Sequence, residues 1–173
     1  GSLPSKLKAE DSQLDFDAYD VSQRGGYHVY SGNVIGGALS PDEIVTGTEE
    51  GFGPQVSIFD GNGNVVSRFF AYAEHLRSGV RIATCDLDQD GTEEIITAPG
   101  KGGRPHIRIF NAQGEPTVHP GFFALDGKFQ GGANIACGDV NADGRAEIIV
   151  AAAQGGGPHV TVHNYKSDVI ASF

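Results

Sequence analysis

The stretch CDLDQDGTEEII, residues 85–96, sets three carboxylates at alternate positions, Asp86, Asp88 and Asp90, then Gly91 and two further acids before an apolar run. Charges this close disfavour joint ionisation. A hard cation such as calcium removes that repulsion, because it takes several oxygen ligands from one tight loop. A single D-x-D-x-D-G also decorates ordinary acidic turns, where Asp and Asn are favoured for their own hydrogen bonding. The second copy decides between the two. In CGDVNADGRAEIIV, residues 137–150, the residues Asp139, Asn141, Asp143, Gly144 and Glu147 stand 53 positions beyond Asp86, Asp88, Asp90, Gly91 and Glu94.

Side chains at alternate positions converge only if the backbone curls around the ion, and Gly91 and Gly144 permit that turn because glycine tolerates positive φ. The expected oxygen donors are the side chains of Asp86, Asp88, Asp90 and Glu94 with the carbonyl of Thr92. In the second loop they are Asp139, Asn141, Asp143 and Glu147 with the carbonyl of Arg145. Water would complete the usual six to eight ligands, giving about two Ca2+ per chain. An EF-hand is excluded: it needs Glu at loop position twelve and flanking helices, whereas position twelve is Thr97 or Val150 inside an expected strand.

The elements that hold these loops repeat with them. The offset of 53 also carries Pro105-His106 to Pro158-His159 and Gly79 to Gly132. Upstream, GFGPQVSIFDGNG matches GGRPHIRIFNAQG at an offset of 51, and Phe69-Phe70-Ala71-Tyr72 matches Phe122-Phe123-Ala124-Leu125 at 53. Periods near 50 point to propellers or arrays. The upstream unit keeps the architecture and has SGNVIGGALSPDEIV where the acidic loop stands in the others.

Each unit reads as four short strands. In the second unit they are Val80 to Cys85, Glu94 to Ala98, His106 to Phe110 and a fourth around Thr117 to Ala124. Ile107 and Ile109 alternate with His106, Arg108 and Phe110, the period of a strand. The 26 glycines suit turn-rich β structure better than helix. The expected fold is all-β, with propeller-type blades of four antiparallel strands in three repeats of about 53 residues. Residues 1–14 read as a cloning remnant and leader of a piece taken from a longer protein. A three-repeat module follows over 15–173, with units at about 26–78, 79–131 and 132–173, and 15–25 a strand of a preceding or closing blade.

Other chemistry finds little support. A net charge of −10 argues against nucleic-acid and anionic-membrane surfaces, which need clustered Lys and Arg. No apolar run approaches the ~20 residues of a membrane helix. GKGGRPH and QGGGPH open strands rather than helices, so they are tight turns and not phosphate cradles. No Ser/His/Asp constellation is assignable, and no enzyme is expected. His106 and His159 occupy equivalent positions, where blade-to-blade hydrogen bonding is the expected role. Cys85 aligns with Gly138 and Cys137 with Thr84, so the two cysteines stand at opposite parity and a disulfide between them is not expected.

The second and third units resemble the FG-GAP (VCBS-type) repeat of integrin α-chain propellers and many bacterial surface proteins. Gly79, Asp86, Asp88, Asp90, Gly91, Glu94, Ala98 and Pro99 fall on that family's pattern, as do Gly132, Asp139, Asn141, Asp143, Gly144 and Glu147. The leading Phe is replaced by Ser78 and Gly131, and the last acid is Glu rather than Asp. The resemblance implies propeller blades with structural calcium between their first two strands. It also implies an extracellular or cell-surface bacterial protein serving adhesion, ligand binding or scaffolding, with an unknown protein or glycan ligand. A non-catalytic accessory domain of a secreted polysaccharide-active enzyme is the alternative. Three units are fewer than a closed propeller needs. Either the piece leaves open blade faces, or the N-terminal strand completes a last blade within the chain or across to a second copy. The expectation is that two chains pair into a six-bladed ring.

Overall fold

The computed structural model describes residues 16–19, 25–37, 40–117 and 119–173. The expectations for residues 1–14, and for 15 and 20–24 of the N-terminal segment, lie outside the described residues.

Twelve strands form among the described residues. They are β1 (Tyr27–Gly32), β2 (Glu43–Thr48), β3 (Gln55–Phe59), β4 (Val65–Phe70), β5 (Val80–Cys85), β6 (Glu94–Pro99), β7 (His106–Phe110), β8 (Phe122–Phe123), β9 (Ala133–Gly138), β10 (Glu147–Ala152), β11 (Val160–His163) and β12 (Val169–Ser172). Consecutive groups of four pair antiparallel into three sheets, β1–β4, β5–β8 and β9–β12. The sheets match the three sequence units.

The turn between the third and fourth strands shows why the units fold alike. Asp60 Oδ1 accepts from the backbone N–H of Asn62 and Asn64 at 2.9 and 2.8 Å. Asn111 does the same for Gln113 and Glu115, and Asn164 for Lys166 and Asp168. One side chain thus closes each turn locally. The fourth strand of the second unit is shorter than expected. It is reduced to Phe122–Phe123, with an isolated bridge from Phe110 to Pro116. Pro116 and Pro120 have no N–H to give a ladder, so among the described residues between them the pairing is reduced to Thr117 N donating to Ile109 O at 3.1 Å.

The second sheet is covered on both faces, and this explains its burial. Val80, Ile82, Ile95 and Phe110 pack with Val45, Val56 and Ile58 of the first sheet. From the opposite face Ala83, Ile96, Ala98, Ile107 and Ile109 pack with Ala133, Ile135, Ile148 and Val150 of the third. All six residues of β6 are therefore buried. The sheets approach closely because of glycine. A Cβ on Gly79 would lie 2.4 Å from Thr48 O, and one on Gly132 would lie 2.5 Å from the backbone of Gly100. Both have positive φ, 62° and 77°.

Cys85 and Cys137 form a disulfide from the end of β5 to β9, with Cα atoms 6.3 Å apart. This overturns the parity argument above, and the reason is geometric. Consecutive sheets meet with opposite faces, so a residue on the outgoing face of one unit meets the opposite parity on the next. The same position at the first junction confirms it: a Cβ on Gly32 would lie 2.6 Å from Thr84 Oγ1. Gly32 and Thr84 stand 53 residues before Cys85 and Cys137.

Candidate metal centre

The acidic loops connect the first and second strands of their sheets, and the ladder fixes where their last carboxylate sits. Cys85 pairs with Glu94, and Gly138 with Glu147. Each glutamate is therefore the first residue of its strand, and both are buried. Their carboxylates turn back into the loop: Glu94 Oε2 accepts from Leu87 N at 2.9 Å, and Glu147 Oε2 from Val140 N at 3.0 Å.

The first aspartate organises the curl. Asp86 Oδ1 accepts from Gln89 N at 2.6 Å and Asp90 N at 3.2 Å, while Oδ2 accepts from Gly91 N at 3.0 Å. Asp139 makes the same three bonds to Ala142, Asp143 and Gly144 at 2.7, 3.2 and 2.9 Å. Gly91 and Gly144 take φ of 88° and 87°, as the turn requires. Gln89 and Ala142 also adopt positive φ, 67° and 62°, a cost the loop holds in place through these hydrogen bonds.

Of the expected ligands, the structure brings Asp86, Asp88 and Glu94 together, with one oxygen from each within 4.8 Å of the others. Asp90 holds the turn through its Oδ1, which accepts from Thr92 N at 2.7 Å. In the third unit Asp143 does the same for Arg145 N at 2.8 Å. Asn141 marks the difference between the two loops. Its amide donates to Asp143 Oδ2 at 3.1 Å and to Glu147 Oε1 at 3.0 Å, so a neutral donor bridges two acids. Asp88 stands at the same place and, ionised, has no proton to give. Three carboxylates face one another there, and burial with the charges of Asp88, Asp90 and Asp86 pushes the Glu94 carboxyl up to about 7. The donor set is all oxygen and anionic, which fits a hard divalent cation such as Ca2+.

The first unit keeps more of this frame than its sequence suggests. Glu43 is buried, pairs with Gly32, and its Oε2 accepts from Val34 N at 3.0 Å and Ile35 N at 3.1 Å. Asn33 Oδ1 accepts from Gly36 N at 3.1 Å, the bond Asp86 makes to Gln89. Asn33 and Glu43 thus take the first and last positions of the loop without the acids between. The signal was present: Asn33 precedes Asp86 by 53 and Glu43 precedes Glu94 by 51, the two offsets of that unit.

The histidines do not act as expected from sequence. The His106 ring stacks on Phe123 of its own sheet with centroids 4.8 Å apart, and burial lowers its pKa. Towards the first unit its ring lies tilted against that of Tyr72 with centroids 6.5 Å apart, and its backbone carbonyl accepts from Tyr72 Oη at 2.6 Å. His159 bonds Ser172 within the third sheet at 2.8 Å.

Fold and loops together define a class: an all-β domain of repeated four-stranded sheets carrying an acidic cluster able to chelate a divalent metal. The FG-GAP-like repeat family matches residues 86–150, from the first acidic loop through most of β10. Repeats of that family are non-catalytic. No curated protein matches the chain. No helix among the described residues is long and apolar enough to cross a membrane.

Proposed function

We propose that the chain is a calcium-binding β-propeller module of an extracellular or cell-surface bacterial protein, serving adhesion, ligand binding or scaffolding. Calcium is structural in this reading, one ion in each acidic loop. The observation that carries it is the convergence of Asp86, Asp88 and Glu94 in a loop whose hydrogen-bond frame recurs 53 residues on. When bound, the ion supplies charge neutralisation. The chain's own part is to aim carboxylates inward from Asp86, Asp88, Asp90, Glu94, Asp139, Asp143 and Glu147, with the carbonyls of Thr92 and Arg145 beside them. The Asn141 amide turns to present its oxygen in place of the N–H that bridges the two acids without the ion.

One observation supports an extracellular setting: the Cys85–Cys137 disulfide suits an oxidising compartment. A protein or glycan ligand, and self-association into a larger ring, belong to the same reading. Thermal melts with calcium and with EGTA test it. Calcium should raise the midpoint, because a ligand bound only by the native state stabilises it. Identical melts would sink the proposal.

A further inference from the structure

The turn between β6 and β7 lines a cavity at the end of the second sheet opposite the acidic loop. β6 begins at Glu94, beside that loop, and ends at Pro99, in the cavity wall. The two sites thus stand roughly 16 Å apart along one strand. The cavity measures about 310 Å³, at the small end of pockets that hold a small molecule. Its apolar walls come from Tyr72 and Leu76 of the first unit and from Pro99 and Phe123 of the second. The Phe123 ring is 51% exposed and stacks on His106 at 4.8 Å, which leaves an aromatic surface open to an occupant.

The first unit shows how the space arises. There Thr48, Phe52, Gln55 and Phe70 line a cavity of about 150 Å³ at the equivalent place. Phe52 stands 51 residues before Gly103, so a ring narrows one cavity where glycine widens the other. The charges differ as well. In the first unit Glu74 shares the lining with Arg77, whose guanidinium donates to Glu74 O at 2.9 Å. In the second, Gly127 and Gln130 stand 53 residues beyond that pair, and the cation is Arg104. Among the described residues the Arg104 guanidinium has no hydrogen bond, ion pair or ring contact, and no carboxylate lines the cavity. An unanswered cation on an acid-free wall, in a chain of net charge −10, favours an anion.

The remaining walls offer few polar groups. Tyr72 turns its hydroxyl onto Thr97 O at 3.0 Å and His106 O at 2.6 Å, a key that Tyr19 repeats on Thr46 Oγ1 of the first sheet at 2.8 Å. Gly102 N and Gly103 N donate to Gln130 O and Gly100 O at 2.8 and 3.0 Å. Burial, then Arg108, lowers the pKa of His106, so its ring is uncharged at neutral pH. A sugar would bring several hydroxyls to walls that answer almost none of them, which costs their hydration. A flat ring with one anionic group meets no such penalty. The ring covers Phe123, Leu76 and Pro99, and Arg104 holds a carboxylate through paired N–H donors.

We infer that this cavity binds a small aromatic carboxylate, its ring against Phe123 and its carboxylate on Arg104. The inference rests on the ligand-binding part of the proposed function and involves no calcium, so its failure leaves the calcium melts to decide that reading. A free aryl acid and the C-terminal aromatic residue of a peptide offer the same chemistry.

Amide NMR titrations test it with four probes: naphthoate, neutral naphthamide, galacturonate and the peptide Gly-Gly-Phe with a free carboxylate. Naphthoate should move the Gly103, His106 and Phe123 amides saturably, while galacturonate leaves them unmoved. Naphthamide should bind about tenfold more weakly or worse, the weight of hydrogen bonds to a charged group. Arg104→Gln, at an exposed position, should weaken naphthoate to the level of naphthamide and leave naphthamide unchanged. Phe123→Ala should weaken both. Tighter binding of naphthoate than of the peptide assigns a free acid, and the reverse assigns a chain end; each upholds the inference. No saturable shift with either carboxylate, shifts confined to other residues, equal affinity for naphthoate and naphthamide, naphthoate binding untouched by either variant, or saturable binding of galacturonate overturns it.

Discussion

Glu94 shows most sharply what the loop asks of its residues. Its carboxyl is raised to about 7 by burial and by Asp88, Asp90 and Asp86, against an ordinary value of 4.5. Between those values the native protein holds a proton that the unfolded chain releases. Stability of the calcium-free protein therefore falls as pH rises from about 4.5 to about 7 and levels off above that. Melts of chelated protein across this window should show the decline, and Glu94→Gln should flatten it while leaving the bond from Leu87 N an oxygen to reach. The Asn141 bridge leads to a second expectation. Asp88→Asn gives the second unit the donor that the third already has, so the calcium-free midpoint should rise and calcium affinity should fall. Differential scanning calorimetry with a calcium titration reads both, and a lower calcium-free midpoint would contradict the repulsion argument.

At the scale of elements, the repeated key between sheets carries much of the order. The Tyr72 hydroxyl is buried, burial raises its pKa, and it reaches Thr97 O at 3.0 Å and His106 O at 2.6 Å. Tyr72→Phe leaves buried carbonyls without that donor, and a loss of about 1–3 kcal/mol is expected in urea unfolding. How far these elements were legible in sequence varies for physical reasons. The strands Val80–Cys85 and His106–Phe110 coincide with their expected bounds because alternation and turn residues delimit both. The fourth strand of that unit was over-read, since the repeat offset carries no penalty for Pro116 and Pro120. The Asn33–Glu43 frame was hidden because the shortened loop shifts the offset from 53 to 51 between its two ends. The acids of the complete loops were legible as a set, whereas the division of labour was not. Alternation alone does not say that Asp90 and Asp143 brace the turn through Thr92 N and Arg145 N.

For the whole molecule, stability comes from stacked sheets whose neighbours cover each other, so a sheet at either end is less protected than the middle one. The disulfide adds a covalent tie between the second and third sheets. It was misjudged from sequence because parity was compared within units, whereas sheets meet across them. Reading parity across the junction would have paired Cys85 with Cys137. Calcium has a matching place in this architecture: each ion would join the first two strands of its sheet beside such a junction. Calorimetric titration of chelator-stripped protein with calcium above pH 7 tests this most directly. It should report one site for each acidic loop, two per chain, falling to one in Asp86→Ala or Asp139→Ala. A titration without binding heat up to millimolar calcium, with a melting midpoint that calcium leaves unmoved, would contradict the account.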